Sequence, residues 1–230
     1  MEKVLFDRFL NYGKKIEVQR GEMIYNALCD EGEKTAYFLM SGVVAMTNNT
    51  LEGDERIYLY IGSQRLIGFA PFLIHAIGPS FFENRSRRVG HCQISLVAKT
   101  RCELYQLSGA VCQKLLDSDM EFNRLVIQAL TVNYLDLLEH FQQELEESAG
   151  IRFCRLLLEA YLEIDGKMVI PKNITFVEMS KYLGTHPVTV SRIFAVLRRD
   201  GCIDKEQGVV VIKNKEKLVE LIRRGEDFYC

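Results

Sequence analysis

The feature that most constrains this chain is residues 110–149, a stretch that contains neither glycine nor proline. Such a stretch favours a helix, because the two residues that most disfavour a helix interior are missing. Its apolar residues form two stripes at helical spacing: Leu125, Ala129, Val132, Leu135 and Leu138 in one, and Leu130, Tyr134, Leu137, Phe141 and Leu145 in the other. A helix that is apolar on two faces must be covered on both. We expect one stripe to pack on this chain and the other on a second copy, the alternative being a helix buried in a single core.

The N-terminal part of the chain is typical of short strands. Glycines recur there every 6 to 12 residues, at Gly13, Gly21, Gly32, Gly42, Gly53, Gly62, Gly68, Gly78 and Gly90. Between them lie segments rich in β-branched and aromatic residues, such as 36–40 and 56–61. Strands separated by turns at this interval predict an antiparallel sandwich or barrel. A hairpin turn is expected at residues 52–54.

The C-terminal part predicts a second domain. Ser148 can cap a helix that begins near Ile151, and residues 168–171 resemble an edge strand because Pro171 cannot donate to a ladder. Residues 174–203 fit two amphipathic helices joined by a tight turn at Gly184, with Thr185 as the cap of the second helix and Pro187 in its first turn. We expect burial of Val177, Met179 or Ser180, and Leu183 in the first helix, and of Val190, Ile193, Phe194 and Leu197 in the second. A two-stranded wing around Gly208 is expected from residues 202–203 and 209–212.

The outward face of the second helix is suited to DNA. It presents His186, Val188, Thr189, Ser191 and Arg192 in place of the Glu/Lys mixture of a solvated helix. Arginine can bridge the O6 and N7 atoms of guanine, and valine or the threonine methyl can contact thymine methyls. Serine and threonine hydroxyls suit phosphates, which set register. An ordinary helical hairpin is the plain alternative.

Charge and composition support the same division. Residues 1–150 carry 15 Lys and Arg against 20 Asp and Glu, whereas residues 151–230 carry 14 against 11. The basic surface therefore lies where a polyanion would bind.

No apolar stretch approaches the roughly 18 residues that cross a bilayer, and the acids in the N-terminal run argue against a secretory signal. We expect a cytoplasmic protein.

An enzyme and a thiol-based sensor are the other classes to weigh. A metal-binding β-domain needs clustered histidines, whereas His75 and His91 stand alone in the sequence, so no catalytic residue, metal or cofactor is expected. Seven cysteines occur without a Cys-x-x-Cys pair, and the odd number does not suit a disulfide framework. Idle thiols and an oxidant-sensing thiol both remain open.

With these motifs in place, almost the whole chain resembles the superfamily of the cyclic-AMP receptor and the fumarate-nitrate regulator. Its helix-turn-helix pattern is matched by Gly184, Thr189, Val190, Arg192 and Leu197. Residues 21–25 and 37–42 resemble the first strands of the family's β-roll, and residues 98–104 its last strand. The resemblance implies an α+β protein with a cupin-like antiparallel β-roll at 1–115, a dimerisation helix at 116–147 and a winged helix-turn-helix at 148–230.

The departures from this family concern the ligand. Where cyclic-AMP binders have Gly-Glu, this chain has Gly68-Phe69; Cys92-Gln93 replaces their Arg-Ser pair, and Leu137-Leu138 replaces Thr-Ser. Losing these groups argues against a cyclic nucleotide. Residues 66–68 and 186–192 resemble activators of reductive dehalogenation genes, which implies an aromatic or halogenated acid. Arg85, Arg87 and Arg88 are candidates to meet an anion, or form a solvated loop.

The resemblance also implies the partners and the sites. A homodimer is expected to bind a palindromic promoter site, with RNA polymerase as a further partner. DNA contacts fall on His186, Val188, Thr189, Ser191 and Arg192, with Lys181 and Lys213 on phosphates. The effector is expected near Tyr60, Gly68, Phe69, Asn133, Tyr134 and Leu137. The alternative is a regulator of the same fold that responds to redox state through its cysteines without a ligand.

Overall fold

The structure is a computed structural model that describes residues 7–26, 35–49, 55–77, 94–172 and 174–228. The chain divides into two compact units, Met1–Leu137 and Leu138–Cys230. Several residues singled out in the sequence lie outside the described part: the turn at 52–54, Arg85, Arg87, Arg88, His91, Cys29, Cys92 and Cys230.

The first unit contains two antiparallel sheets, as the strand pattern predicts. One has the strand order β1–β8–β3–β6 and the other has β2–β7–β4–β5. The strands are β1 (Lys14–Val18), β2 (Met23–Asn26), β3 (Ala36–Ser41), β4 (Val44–Asn49), β5 (Glu55–Ile61), β6 (Arg65–Ile67), β7 (Ser95–Ala98) and β8 (Cys102–Leu107). The non-consecutive neighbours show that the chain crosses repeatedly between the two sheets.

Strand β3 shows how the first sheet serves two apolar cores. Tyr37 and Leu39 belong to a cluster that lies between the sheets and includes Val44 and Leu96 of the second sheet. Phe38, which points the other way, belongs to a second cluster with Phe72 and Phe122, which is called the helix-facing cluster below. Successive side chains of a strand alternate between its faces, so a continuous apolar run here covers both.

The expected last strand, residues 98–104, is divided between the end of one strand and the start of the next, with a turn at residues 99–101. Strand β7 ends at Ala98 and β8 begins at Cys102. The turn approaches Gly42, where φ is +97° and an added Cβ would lie 2.6 Å from the carbonyl oxygen of Arg101. The backbone N–H of Val43 also donates to the hydroxyl of Thr100 at 2.9 Å. Glycine at position 42 lets these two turns pack together.

The helices of the first unit whose two ends lie in the described residues are α1 (Ala70–Ile77), α2 (Gly109–Ser118) and α3 (Met120–Glu146), which continues into the second unit. The long helix predicted at 116–147 is shorter at its start, because Asp119 interrupts it. The Asp119 carboxylate accepts hydrogen bonds from the backbone N–H groups of Glu121 and Phe122, at 2.9 and 3.2 Å. This N-cap begins α3, and residues 116–118 belong to α2.

The two stripes of α3 are distributed differently from the prediction. Leu125 and Ala129 are buried in the helix-facing cluster, but Leu135 and Leu138 of the same stripe are exposed. Leu130, Tyr134, Phe141 and Leu145 of the second stripe are exposed too, so neither stripe is wholly buried on this chain. One side of the helix therefore packs on its own chain along its first half, and a long apolar surface stays open.

The second unit combines four helices with one sheet. The helices beyond α3 are α4 (Ala149–Ala160), α5 (Phe176–Leu183), α6 (Pro187–Arg199) and α7 (Lys215–Arg224), and the strands are β9 (Leu162–Ile164), β10 (Lys167–Val169), β11 (Ile203–Glu206) and β12 (Val209–Ile212). Ser148 caps α4 as predicted, accepting from the N–H of Ile151. Strands β11 and β12 form the expected wing, and its turn at Gln207 and Gly208 has positive φ at both residues, as tight hairpins require.

The strand predicted at the edge of this sheet is an interior one. The sheet order is β11–β12–β10–β9, so β10 pairs on both sides. Ile170, just past the strand, is buried, and its N–H still donates to the carbonyl of Val210. Pro171 follows the last paired residue, so its missing N–H removes no ladder bond.

Among the described helices, none is both long enough and apolar enough to cross a membrane.

Candidate nucleic-acid interface and effector site

The turn between α5 and α6 is set by three consecutive residues. Gly184 adopts the left-handed conformation with φ of 59°, as predicted for a tight turn, and ends α5. Thr185 then donates its N–H to the carbonyl of Ser180 at 3.0 Å. The cap of α6 is His186 and not Thr185, because Nδ1 of His186 accepts from the N–H of Val188 at 3.2 Å. Pro187 occupies the first turn, as expected.

The buried faces of the two helices hold them together. Val190, Ile193, Phe194 and Leu197 of α6 are buried as predicted, and so are Met179, Ser180 and Leu183 of α5. Val177 is 53% exposed, which corrects the expectation for that residue. Helix α5 begins at Phe176, and positions 176, 179, 180 and 183 share one face, so Val177 lies off it.

The outward face of α6 is open. Val188 is 51% exposed, and His186, Ser191 and Arg192 are exposed too, while Thr189 is half-buried. The hydroxyl of Ser191 donates to the carbonyl of Pro187 at 3.1 Å, and it would exchange this bond for one to a phosphate oxygen on binding DNA. Arg192 makes no ion pair with any residue in the described part of the chain. Its guanidinium is thus available for a ligand outside the protein.

Both lysines expected at phosphates have carboxylate partners. The ammonium of Lys181 lies 3.7 Å from Glu178, one turn earlier on α5. Lys213 binds Glu206, which also accepts from Lys167 at 2.7 Å. Hydrogen bonds from Lys167 and Lys213 lower the pKa of Glu206 to about 2. The wing lysines are therefore partly neutralised, and this reduces what they offer to DNA.

Lys205 is a candidate that the sequence reasoning missed. It is exposed on wing strand β11, and its ammonium lies 5.7 Å from the ring centroid of Phe176, the first residue of α5. Within the described residues it forms no ion pair, unlike Lys181 and Lys213. Its place just before the wing turn was the available signal, since a wing strand exposes alternate residues.

The six residues expected at the effector are divided between different environments. Phe69 is buried in the helix-facing cluster with Phe72 and Phe122, whereas Leu137 packs against the cluster between the sheets. Tyr134 is 61% exposed and Tyr60 is half-buried on β5. Gly68 has φ of +70°, and an added Cβ would lie 2.9 Å from the ring of Tyr37.

Asn133, the remaining effector candidate, binds an arginine of the first sheet. The Nη2 atom of Arg65 donates to Oδ1 of Asn133 at 2.6 Å and to Oδ2 of Asp136 at 2.8 Å. Arg65 begins β6, the strand that leads into Gly68 and Phe69. It is a cation at the expected effector position that the sequence reasoning did not name.

The four described cysteines are buried: Cys102, Cys112, Cys154 and Cys202. Burial raises the pKa of all four thiols, to about 12 for Cys112 and Cys154. The thiolate is the reactive form, so these residues are poor oxidant sensors. Among the described residues, no group of three or more His, Cys, Asp or Glu is placed to hold a metal ion.

Two helices joined by a left-handed glycine and followed by a two-stranded wing define a winged helix-turn-helix domain. Residues 151–221 match the family of the Crp-like helix-turn-helix domain. The matched residues span most of α4 to α7 and the four strands that lie between them in the chain. No curated protein matches the sequence.

Solved structures match the fold along nearly the whole chain. A CRP/FNR-family transcriptional regulator from Thermus thermophilus is 19% identical with a TM-score of 0.67, covering 93% of this chain and 100% of that one. The c-di-GMP-responsive global regulator CLP from Xanthomonas campestris is 16% identical with a TM-score of 0.69, covering 91% and 98%. CprK in complex with OCPA is 19% identical with a TM-score of 0.58, covering 96% and 94%. The chain therefore has a Crp/Fnr-like fold: an antiparallel β-sheet domain, a long helix and a helix-turn-helix domain.

Proposed function

We propose that this chain is a homodimeric transcription regulator of the Crp/Fnr type, whose β-domain senses a small molecule and controls DNA binding. The observation that carries the proposal is the outward face of α6 within a Crp-like helix-turn-helix domain. That face holds an exposed arginine, Arg192, beside an exposed valine, Val188. A guanidinium and an apolar side chain on one helix suit the edges of bases in a major groove.

The proposed dimer rests on α3. The exposed stripe of α3 consists of residues at alternating steps of four and three: Ile127, Thr131, Tyr134, Leu138, Phe141 and Leu145. This is the spacing of a coiled-coil seam, which an identical helix can cover. Ile127 is 63% exposed and Leu145 is 86% exposed, so the apolar surface runs almost the length of the helix. We infer that two copies pair in parallel over residues 119–146.

The proposed operator is an inverted repeat. A two-fold dimer places its recognition helices in successive major grooves, with half-sites about 34 Å apart. Arg192 is the residue proposed to read a base, and Val188 the one to contact a thymine methyl, with His186, Thr189 and Ser191 at phosphates or neighbouring bases. Pro187 lacks a long side chain for a further base contact, which favours an A/T-rich half-site. Lys181 and Lys213 remain proposed phosphate contacts, joined by Lys205.

The proposed effector is an aromatic or halogenated acid, as for activators of reductive dehalogenation, and not cyclic AMP. Arg65 lies beside Asn133 in the region expected to hold the effector, but its charge is already paired with Asp136. A carboxylate of the effector would therefore compete with Asp136 for this arginine. CLP is described as c-di-GMP-responsive and CprK as complexed with OCPA, so proteins of this fold serve different ligands. RNA polymerase is the proposed partner at the promoter.

The test is selection of bound DNA from a random pool by the full-length protein, with and without a panel of small aromatic acids. The expected result is enrichment of an inverted repeat with half-sites about one helical turn apart, and a change in that enrichment with one of the acids. Light scattering at micromolar concentration should return a dimer. Failure to enrich any sequence under all conditions would contradict the proposal. Enrichment of a repeat that no acid affects would exclude small aromatic acids as the effector.

A further inference from the structure

Arg65 connects a strand of the β-domain to α3. One nitrogen, Nη2, donates both to Asn133 at 2.6 Å and to Asp136 at 2.8 Å. The Arg65 side chain is 24% exposed and that of Asp136 is 39% exposed, so the pair is shielded from water in part. Hydrogen bonds between charged groups in such surroundings are stronger than those between neutral groups.

These bonds begin where the apolar packing of the helix ends. Phe122, Leu125, Val126 and Ala129 attach the first half of α3 to the helix-facing cluster. Asn133, Asp136 and Leu137 continue the same side of the helix at spacings of three and four residues. Leu137 adds a contact to the cluster between the sheets. Arg65 thus holds the turns of α3 that lie beyond the main apolar contact.

The side of α3 that Arg65 holds determines which side of this helix remains exposed. In the seven-residue pattern of the exposed stripe, Asn133 and Asp136 occupy outer positions, away from Tyr134 and Leu138. Holding the outer positions on the β-domain keeps the stripe turned outward. Arg65 also starts the short strand β6, which pairs with β3 and runs directly into Gly68.

We propose that Arg65 is a positioning residue: through Asn133 and Asp136 it sets the orientation of α3 on the β-domain, and so the surface offered to a second copy. The part that concerns dimerisation rests on the proposed function. Asn133 then acts in this connection and is not a contact to the effector. Because Gly68 directly follows the strand that Arg65 begins, a ligand that moves β6 would act on α3 through this arginine.

Hydrogen exchange of the full-length protein tests the connection directly. Arg65→Met removes the donor and keeps an unbranched chain, and Asp136→Asn changes only one charge. Both should speed exchange of the amides of residues 130–138 by about tenfold, with residues 122–129 unchanged, because only the second half of the helix loses an attachment. Arg101→Met is the matched control: it breaks an arginine–carboxylate pair between the turn before β8 and Glu17 of β1, away from α3. Exchange in Arg65→Met equal to wild type, or an equal increase in Arg101→Met, would overturn the proposal.

A charge exchange separates positioning from general stability. Arg65→Asp combined with Asp136→Arg should return exchange in residues 130–138 to within about twofold of wild type, whereas either change alone should not. Sedimentation should show the dimer weakened by about five- to tenfold in Arg65→Met and restored in the double variant. A monomeric wild type would contradict the proposed function, while the exchange result would still decide the role of Arg65. A double variant no better than the single ones would reject the pairing.

Discussion

The rings of Phe176 on α5 and Phe194 on α6 lie 5.1 Å apart between centroids, inclined at 52°. Phe194 is buried, and the ammonium of Lys205 lies near the ring of Phe176. The two phenylalanines thereby join both helices of the helix-turn-helix and bring the wing beside them. The position of the recognition helix depends on this contact.

Removing Phe194 should therefore loosen the DNA-binding domain. Phe194→Ala is expected to lower the free energy of unfolding of the domain by about 3–5 kcal/mol, from lost apolar burial and the cavity left behind. Denaturant titration followed by circular dichroism measures it. Val177→Ala, at an exposed position of α5, is the control and should change stability by less than about 0.5 kcal/mol. Equal effects of the two changes would contradict the packing of Phe194 between the helices.

Arg192 and Lys205 should affect DNA binding in different ways. Arg192→Ala should cost about 1–3 kcal/mol per half-site and relax the preference at one base pair, because a base-reading contact is lost. Lys205→Ala should weaken specific and random DNA alike and lower the salt dependence, as expected for a phosphate contact. Titrations of both DNAs at several salt concentrations separate the two.

Two further lysine variants compare paired and unpaired cations. Lys181→Ala and Lys213→Ala should weaken binding in the same uniform manner but less than Lys205→Ala, because each lysine already has a glutamate partner. If Arg192→Ala reduced affinity for specific and random DNA equally, base reading would belong to another residue.

A charge in the exposed stripe of α3 should weaken the dimer. Leu138 is 45% exposed in the single chain and is expected to be covered by the second copy. Leu138→Lys would bury an unpaired ammonium there, which is strongly unfavourable. Sedimentation should show dissociation at least tenfold easier than in wild type. Glu146→Lys, outside the stripe on the same helix, should leave the dimer intact; similar losses in both variants would argue against the seam.

The wing should respond to acid through Glu206. Lys167 and Lys213 lower the pKa of this carboxyl from 4.5 to about 2. A lowered folded-state pKa gives stability that is complete above about pH 4.5 and is lost as pH falls towards 2. Glu206→Gln should therefore be less stable than wild type at pH 6, with the difference shrinking between pH 4.5 and 2. Urea midpoints measure this, and Glu226→Gln, an exposed carboxylate outside the wing, should show no such convergence.

The described cysteines should resist alkylation in the folded protein. Burial raises the pKa of Cys112 and Cys154 to about 12, so little thiolate exists at pH 8. Iodoacetamide at pH 8 followed by mass spectrometry should find Cys102, Cys112, Cys154 and Cys202 unmodified without urea and modified with it. Rapid labelling of Cys154 or Cys202 in the folded state would favour the redox alternative.

Local sequence signals predicted most of the DNA-binding domain. Gly184 ends a helix because it reaches positive φ without strain, and Pro187 begins one because its φ is already helical. The cap was assigned to Thr185 because threonine is a common cap; His186 takes that position through Nδ1. Val177 was misplaced because its spacing to Ser180 also fits a helix face, whereas the buried face includes Met179 and leaves Val177 exposed.

The long helix and the effector region mark the limit of such signals. Spacing alone predicted an apolar helix, but not that Asp119 would begin it. Phe69 was expected at a ligand because of its place in a motif, and its packing with Phe72 and Phe122 could not be predicted from that motif. Arg65 carried no signal, since its partners lie 68 and 71 residues away.

By itself the sequence determined the classes of element, their order and the two helices that suit DNA, because turn chemistry and periodicity act over a few residues. The tertiary structure alone decided which face of α3 packs inward, which lysines are neutralised by glutamates, and that Arg65 reaches Asn133 and Asp136. Those outcomes depend on distances between residues remote in the chain, which only the packing of sheets and helices sets.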